Sequence, residues 1–419
     1  MTLFDPVASR EKIVVTGIGV VSPNGVGAEE FTRACLEGRS GAVPYSCDNS
    51  VLRTRYVAAC DAFVPQAHMP EQELRRVPRL VPMALCASRE ALAMARLNVD
   101  PADIQTQRKI AVILGTGGGG LAYVEAQYQR WFAEGKASLF SITAGTHGNL
   151  SSELSIALHL RGASHVVSTG CTSSTDAIGH AMMMIQSGMT PVVLVGGADS
   201  PIAPGILAAF ERMGVVSTAA HESPSQACRP FDKRRDGFVL GEGAWMFVIE
   251  SARHASERGA TVIAELAGYA STCDAFHRVA IAPDCVEPAR AITLALEQAG
   301  IKPTDIDYVN LHGTGTDMND RLETLAVKQA LGDHARHVPM SSTKSMIGHP
   351  QGACGAAGLA AAILCARAGR VHPTINLDTP DEACDLDYVP HTSRQATIKH
   401  ILCNCIAFGS KNSAIVARV

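Results

Sequence analysis

The chain has 419 residues, of which 47% are hydrophobic and 18% charged, and its formal net charge is −4. This composition is typical of a globular protein with a large core, and it gives no reason to expect nucleic acid as a partner. The longest apolar stretch, residues 353–366, is too short to cross a membrane and predicts a buried helix. Thirteen scattered cysteines, without a Cys-x-x-Cys pair or a signal-like start, predict a soluble, reduced protein of the cytoplasm.

Short β-branched runs alternate with longer helical stretches along the chain. In the first part, strands are predicted at 13–16, 110–114, 165–168 and 192–195, and helices at 29–37, 83–97 and 175–186. After residue 250 the alternation begins again, with strands at 262–266 and 306–311 and helices at 288–299 and 320–331. The repeated pattern predicts an α/β architecture in layers. Since no low-complexity linker separates the two parts, we expect one compact unit.

The segment 165–176 carries the strongest chemical signal in the first part. An apolar run ends at Gly170-Cys171, and small or capping residues then lead into a predicted helix. Backbone N–H groups and the positive end of the helix dipole favour a thiolate there, although a free cysteine has a pKa of about 8.5. The segment by itself is as consistent with a nucleophilic Cys171 as with its alternative. The alternative is a buried thiol without a chemical role.

Two histidines in glycine-bracketed loops carry the signal of the second part. His312 begins a His-Gly-Thr-Gly-Thr loop, in which glycines let a substrate approach the backbone and threonines supply hydroxyls. Asp320 is placed to cap the helix that follows. His349 follows Gly348, just before the apolar helix. Either histidine alone is more often structural than catalytic, but both together with Cys171 favour one shared site.

The order Cys171, His312, His349 resembles the Cys-His-His set of the β-ketoacyl-[acyl carrier protein] synthases of the thiolase superfamily. The similarity covers essentially the whole chain, and further matching motifs lie at 14–23, 229–243, 274–277 and 408–409. The resemblance implies a thiolase fold with five αβαβα layers built from two similar βα halves. Residues 1–250 would carry the nucleophilic cysteine, and residues 251–419 the two histidines.

The chemistry implied by the resemblance is a decarboxylative Claisen condensation. Cys171 would take an acyl group from a carrier-protein thioester. A malonyl extender on a carrier would then lose CO₂, and the resulting carbanion would attack the acyl-enzyme. His312 and His349 would donate hydrogen bonds to the enolate as it forms. No metal or diffusible cofactor is implied, because the phosphopantetheine arm arrives on the acyl carrier protein.

Further residues match positions with family roles. The backbone N–H groups of Cys171 and Phe408 match the oxyanion hole, and Phe408 also matches a gating phenylalanine. Thr314 and Thr316 match positions that contact the phosphopantetheine arm. Lys344 matches a lysine that orders the active site rather than attacking the substrate.

Three positions depart from the family pattern. Gly358 stands where the family usually carries a Glu, so Lys344 lacks its usual acidic partner. Residues 407–412 read Ala-Phe-Gly-Ser-Lys-Asn where Gly-Phe-Gly-Gly-Thr-Asn is common. Gly118 stands where some relatives place a bulky residue that closes the acyl pocket, which indicates a deeper pocket here. The alternative for Gly118 is simply a tight turn.

The pathway and the partners are suggested by local likeness. Residues 168–173 and 384–390 look closer to ketosynthases of type II polyketide systems than to housekeeping fatty-acid enzymes, which favours a polyketide or polyene pathway. A homodimer and a heterodimer with a homologous chain-length-factor-like subunit both stay open. Carrier proteins are acidic, so Arg75, Arg76 and Arg79 are candidates for carrier docking. The alternative is a solvated basic turn.

Five other interpretations compete. Gly115-x-Gly117-x-x-Gly120 formally matches a dinucleotide fingerprint, but no acidic residue is well placed for a ribose. A degradative thiolase would need a second cysteine as base, and Cys403 and Cys405 lie in a strand-like run near the C-terminus. A chain-length-factor-like subunit would lack the active cysteine. A fatty-acid β-ketoacyl synthase II, or a hydrolase or carrier-free acyltransferase using Cys171, also stays open.

Overall fold

A long mixed sheet organises the computed structural model, which describes residues 11–47 and 51–419. Eleven strands belong to it within these residues. In spatial order they are Met340–Ser341, Tyr308–Asn310, His400–Ala407, Lys411–Arg418, Ala264–Cys273, Ile13–Ser22 with Gly25–Val26 beside it, Gly243–Ser251, Val192–Asp199, Ile110–Gly115 and Ser164–Val167. Two small sheets join Arg370–Val371 to Arg394–Gln395, and Val43–Pro44 to Tyr56–Ala58 and Leu240–Gly241.

The centre of the sheet is buried on both faces. Ile13–Ser22 pairs antiparallel with Gly243–Ser251, and every residue of both strands is buried, so their sequences are nearly continuous apolar runs. Gly17 lies where helix Leu80–Met94 crosses, and a Cβ there would stand 1.9 Å from the carbonyl oxygen of Ala91. The absence of a side chain at this position therefore lets the helix pack directly on the strand.

Helices cover the sheet and also lie between its two halves. The α-helices are Ala28–Glu37, Glu71–Leu74, Leu80–Met94, Ile104–Arg108, Leu121–Glu134, Ser141–Gly145, Asn149–Leu158, Ser173–Gln186, Pro204–Arg212, Ala252–Glu257, Val286–Ala299, Asp317–Leu331, Lys344–Ile347 and Cys354–Arg367. Helices Ser173–Gln186 and Cys354–Arg367 contact strands of both halves, whereas Leu80–Met94 and Val286–Ala299 pack on opposite outer sides. The resulting order of helix, sheet, helix, sheet, helix agrees with the predicted five layers.

The apolar stretch near residue 360 forms the central helix Cys354–Arg367, in which most residues are buried. Within the described residues, no helix has both the length and the hydropathy that a membrane span requires. The prediction of a buried helix for this stretch is therefore confirmed.

The loop that carries His312 is anchored differently from the sequence-based prediction. Helix Asp317–Leu331 begins three residues earlier than predicted, and Thr316 occupies its N-cap position. Asp320 therefore does not cap the helix, and that prediction is wrong. Its buried carboxylate instead accepts hydrogen bonds from the backbone N–H groups of Phe231 at 2.7 Å and Thr314 at 3.1 Å. Asp320 thus fixes the 312–316 loop against a distant segment of the chain.

Candidate active site

Cys171 lies on a tight turn between a strand and a central helix. Strand Ser164–Val167 leads into the 3₁₀ turn Gly170–Thr172, which runs directly into helix Ser173–Gln186. Gly170 has a φ of +72°, a conformation that favours glycine, so the chain turns sharply before the thiol. The hydroxyl of Ser173 donates to the carbonyl oxygen of Gly170 at 2.5 Å and closes the turn. The Cys171 side chain is therefore held at the start of the helix.

The structure brings Cys171, His312 and His349 together from three separate segments. The Cys171 Sγ atom lies 3.3 Å from Nε2 of His349. The His312 and His349 rings meet edge to face, with centroids 5.4 Å apart and an interplanar angle of 86°. Nδ1 of His349 accepts the backbone N–H of Gln351 at 3.1 Å, so the ring proton is on Nε2, which faces the sulfur.

Both imidazoles are neutral. Burial, followed by the positive charge of Lys344, holds the pKa of His312 and the pKa of His349 well below the usual histidine value. The rings are almost fully buried, at 3% and 2% exposure. At neutral pH they therefore act as neutral hydrogen-bonding groups whose tautomers are set by their neighbours.

The Cys171 thiol is protonated in the free protein. Burial raises its pKa, and the nearby Cys354 adds to this shift. The charge of Lys344 and the backbone N–H of Phe408, which donates to the thiol sulfur, lower the pKa but do not reverse the shift. The prediction of a thiolate is therefore wrong for the free protein, because the loss of solvation raises the thiol pKa more than the helix N-terminus lowers it.

Lys344 stabilises the ring of His312. Its Nζ donates to the carbonyl oxygen of His312 at 2.6 Å and lies 3.2 Å from Nδ1 of the same residue. Burial alone would lower the pKa of Lys344, but Cys354, Cys405 and Glu323 raise it, so the amine is an ammonium. An ammonium facing Nδ1 makes that nitrogen an acceptor and leaves the ring proton on Nε2.

No carboxylate pairs with Lys344 among the residues that the structure describes. Gly358 lies inside the central helix, where a Cβ would stand 2.4 Å from the side-chain oxygen of Asn310. A glutamate at this position has no room unless Asn310 moves. Asn310 therefore occupies the space that a glutamate side chain at position 358 would need.

A cavity of about 330 Å³ opens beside the three residues. Its wall includes Cys171, Met213, Val215, Phe238, Val279, Ile281, His312, Thr314, Thr316, Asp317, Met318, Asn319, His349, Ile406 and Phe408. The hydroxyls of Thr314 and Thr316 lie 2.9 Å apart on the cavity wall. The cavity is apolar with a few converging polar groups, which is typical of a small-molecule site.

Ser410, one of the residues that depart from the family pattern, fixes the loop that carries Phe408. The Ser410 hydroxyl donates to the carbonyl oxygen of His277 at 2.9 Å and accepts the backbone N–H of the same residue at 3.2 Å. The backbone N–H of Gly409 donates to the carbonyl oxygen of Arg278 at 2.9 Å. Phe408 is therefore held by the neighbouring 274–278 segment.

Residues 10–255 match the family described as Beta-ketoacyl synthase, N-terminal domain, and residues 263–378 match Beta-ketoacyl synthase, C-terminal domain. The chain belongs to the β-ketoacyl synthase family. It is a condensing enzyme of the acyltransferase class. The resemblance predicted from the sequence is confirmed.

Individual proteins agree with this assignment. A polyketide beta-ketoacyl synthase 1 of Streptomyces cyaneus is 41% identical over 415 residues, covering 97% of each chain. The 3-oxoacyl-[acyl-carrier-protein] synthase 2 of Synechocystis sp. is 37% identical, covering 96% of this chain and 97% of the relative.

Two solved structures share the fold at a TM-score of 0.89 and 32% identity, covering 98% of this chain and 100% of theirs. One is a type II polyketide synthase acyl carrier protein in complex with its ketosynthase bound to the hexaketide, and the other is the ishigamide ketosynthase/chain length factor. The ketosynthase-type, thiolase-like α/β fold is thereby confirmed.

The glycine turn of this β-ketoacyl synthase family member wraps a buried carboxylate. The backbone N–H groups of Gly117 and Gly118 donate to Asp199 at 2.7 and 2.9 Å, and that of Gly352 donates at 2.7 Å. The hydroxyl of Thr116 adds a fourth hydrogen bond at 2.8 Å. These N–H groups are occupied, so the turn does not offer them to a pyrophosphate, and the dinucleotide interpretation fails. Sequence reasoning did not single out Asp199, which ends the observed strand Val192–Asp199 and lies beyond the predicted strand at 192–195.

Gly118 does not line the cavity. A Cβ at Gly118 would stand 3.4 Å from a carboxylate oxygen of Asp199 and 3.6 Å from Pro201, which is ordinary contact. The turn geometry favours the simpler alternative for Gly118, and its role in opening an acyl pocket stays a prediction.

Two further cysteines of this condensing enzyme lie behind His312. Sγ of Cys354 and Sγ of Cys405 are 3.6 Å apart, and each lies 3.2 Å from the carbonyl oxygen of Cys171. Cys405 also lies 3.4 Å from Nδ1 of His312. Sequence reasoning considered Cys405 only as a thiolase base and missed Cys354, since the start of the apolar helix gave no chemical signal.

The three candidate docking arginines do not form one basic patch. Arg75 and Arg76 pair with Glu71 and Glu73, both at 2.6 Å, and these pairs are largely exposed. Arg79 pairs at 3.0 Å with Glu242, whose side chain is 4% exposed. Arg79, whose own side chain is 41% exposed, is thus held by a buried carboxylate, and its role in carrier docking stays a prediction.

Proposed function

We propose that this chain is the ketosynthase of a type II polyketide or polyene pathway. It condenses an acyl group held on Cys171 with a malonyl-[acyl carrier protein] extender by decarboxylative Claisen condensation. The observation that carries this proposal is the convergence of the Cys171 sulfur, Nε2 of His349 and the backbone N–H of Phe408 on one cavity. Residues 1–250 form the half that supplies the nucleophile, and residues 251–419 the half that supplies the histidines.

Acyl transfer begins with the neutral Cys171 thiol. The sulfur attacks the carbonyl carbon of the carrier thioester, the bond to the pantetheine sulfur breaks, and the thiol proton passes to that leaving sulfur. The backbone N–H groups of Cys171 and Phe408 form the oxyanion hole for the tetrahedral intermediate. The N–H of Phe408 already points at the sulfur, which supports this assignment.

Decarboxylation uses the two neutral histidines as donors. Nδ1 of each ring faces a fixed partner, Lys344 for His312 and the backbone N–H of Gln351 for His349, so each Nε2 carries the proton. These two N–H groups hydrogen-bond the thioester oxygen of the malonyl extender as CO₂ leaves and negative charge develops. The carbanion then attacks the acyl carbon, and the Cys171 sulfur leaves and recovers a proton.

Three residues hold the reacting groups in place but take no part in making or breaking bonds. Lys344 is a positioning residue that acts through the ring of His312, to which it donates. The hydroxyls of Thr314 and Thr316, which face each other on the cavity wall, contact the phosphopantetheine arm. The enzyme needs no resident cofactor, because this arm is delivered by the carrier protein.

Two protein partners follow from the proposal. An acyl carrier protein brings both substrates, and Arg75, Arg76 and Arg79 are the candidate docking residues. The second partner is another copy of this chain or a homologous chain-length-factor-like subunit. Strand Ser164–Val167 supports such a dimer, because it ends the described sheet and its outer edge is open to pairing. The 131–142 segment also exposes several large apolar side chains, with exposures from 53% to 84%, namely Trp131, Phe132, Leu139 and Ile142.

The polyketide assignment is supported by the similarity to polyketide beta-ketoacyl synthases at 41% and 39% identity, and by the similarity to two solved ketosynthase structures. A fatty-acid role is the second candidate, since a 3-oxoacyl-[acyl-carrier-protein] synthase 2 is 37% identical. The complete Cys171, His312 and His349 set argues against a non-catalytic partner subunit.

A panel of acyl carrier thioesters of graded length separates these candidates. The protein is incubated with each thioester, alone and with a homologous subunit, and its intact mass is measured beside a Cys171→Ala control. We expect acylation that is lost in the control. A preference for long saturated chains contradicts the polyketide assignment, and absence of acylation in every mixture contradicts the synthase proposal.

A further inference from the structure

Two thiols at the back of the active site take no part in the proposed reaction. Cys354 begins the central helix, and Cys405 lies near the end of strand His400–Ala407. Their side chains are 4% and 2% exposed and form one apolar cluster with Cys171 and Ala407. The chain thus brings a pair of cysteines from distant segments into direct contact beside the nucleophile.

The geometry of the pair allows a covalent bond between the sulfurs. Their Sγ atoms are 3.6 Å apart, at van der Waals contact. A disulfide has an S–S distance of about 2.05 Å, so closure requires the sulfurs to approach by roughly 1.5 Å.

The two thiols differ in reactivity. Burial would raise the pKa of Cys354, but the hydrogen bond from Cys405 and the charge of Lys344 lower it below the usual thiol value. Burial raises the pKa of Cys405 well above that value. A thiol with thiolate character next to a neutral thiol is the arrangement in which one cysteine is oxidised and the other resolves it.

We propose that Cys354 and Cys405 are a redox modification site, which a hydroperoxide converts into a disulfide. The Cys354 thiolate attacks a peroxide oxygen, the O–O bond breaks, and after proton uptake a sulfenic acid forms together with an alcohol, or with water when the oxidant is hydrogen peroxide. The Cys405 sulfur then attacks the sulfenic sulfur, the S–S bond forms, and the hydroxyl leaves as water with the Cys405 proton. One peroxide is reduced, and two thiols are oxidised.

The disulfide would change the groups that hold the active site. Both thiols lie 3.2 Å from the carbonyl oxygen of Cys171, and Cys405 lies 3.4 Å from Nδ1 of His312. Oxidation removes the S–H donor of Cys405 and draws the sulfurs toward each other. Since a displacement of about 1 Å at a catalytic group costs up to about a hundredfold in rate, we expect slower condensation after oxidation.

The bond itself is tested in the full-length Cys171→Ala protein, which excludes chemistry at the nucleophile. The protein is treated with hydrogen peroxide and its peptides are mapped without reduction. We expect the peptides that contain Cys354 and Cys405 to be linked. Cys273 is exposed and reports that the oxidant has reacted. Cys403→Ala, on the same strand, should keep the linkage, and Cys405→Ser should abolish it.

Absence of the linked peptide, when Cys273 is oxidised, overturns the proposal. This result does not depend on condensing activity, so it is separate from failure of the proposed function.

The consequence for the reaction is tested in the protein with native Cys171, which is first acylated so that the nucleophile is protected. After peroxide treatment, malonyl carrier is added and single-turnover condensation is measured. We expect a rate lower by roughly tenfold or more, restored by a phosphine reductant, and no such loss in Cys405→Ser relative to its own untreated rate. If the peptides are linked but the condensation rate is unchanged, the disulfide site stands and its proposed effect on catalysis is overturned.

Discussion

Nε2 of His349 lies 3.3 Å from the sulfur of Cys171 as a donor, not as a base. Nδ1 of His349 is occupied by the backbone N–H of Gln351 at 3.1 Å, so the ring cannot also take the thiol proton at Nε2. The thiol beside it is neutral, because burial raises its pKa. The site therefore presents hydrogen-bond donors to the sulfur and does not form a cysteine–histidine ion pair.

The neutral thiol predicts a steep pH dependence of Cys171 alkylation. Its folded-state pKa is raised, so the thiolate fraction grows about tenfold per pH unit and shows no plateau near neutrality. The measurement is the rate of iodoacetamide labelling of Cys171, followed by peptide mapping, between about pH 6 and pH 9. A rate that is already constant near pH 7 would show that the helix terminus outweighs burial.

Asp320→Ala is expected to destabilise the protein by roughly 3 kcal/mol, because the Asp320 carboxylate is fully buried and faces Arg235 at 3.6 Å. It also releases the backbone of the 312–316 loop, so condensation should fall in parallel. Denaturant unfolding gives the free energy change. Asp317→Ala removes a neighbouring carboxylate that is 66% exposed, and it should change stability by less than about 1 kcal/mol. Equal losses for both variants would contradict this account.

Gly352→Ala is expected to be far more damaging than Gly148→Ala. A Cβ at Gly352 would stand 2.2 Å from the backbone nitrogen of Gly117, whereas a Cβ at Gly148 meets nothing within 4 Å. The first change separates the two turns that Asp199 holds together and should cost about 1 to 3 kcal/mol or more. Thermal unfolding of both variants tests this difference. A Gly352→Ala protein as stable as the native one would contradict the close packing of the turns.

Charge reversal is expected to weaken carrier binding at Arg75 and to reduce stability at Arg79. Arg75→Glu changes an exposed side chain, so we expect a higher KM for the acyl carrier with little change in kcat. Arg79→Glu replaces the cation with a second carboxylate beside the buried Glu242, so we expect loss of stability instead. Kinetics with carrier-bound and with diffusible acyl thioesters provide the comparison. An unchanged carrier KM for Arg75→Glu at low salt would exclude this docking role.

Local patterns in the sequence were sufficient for the elements that carry the catalytic residues. The apolar runs predict the strands that precede Cys171 and His312, and the small residues after Cys171 predict the start of a helix. Element ends were less well predicted, because caps depend on tertiary contacts. Asp320 shows this, since its side chain serves the distant Phe231 instead of its own helix.

The remaining features of the site depend on contacts that no local pattern contains. Asp199, Cys354 and Cys405 enter the site from segments far apart in the chain. The ionisation of Cys171 was mispredicted for a related reason. The helix terminus is visible in the sequence, but the burial that outweighs it is a property of the folded chain.

A single-turnover condensation tests the central claim most directly. The protein is loaded with an acyl group, separated from the donor, and mixed with malonyl carrier, and the masses of both proteins are followed. We expect the acyl group to leave the protein, a β-ketoacyl group to form on the carrier, and CO₂ to be released in equal amount. Cys171→Ala should not load, and His312→Ala should load but not condense. An acyl group that stays on the protein, or that is lost only to water, would contradict the proposed function.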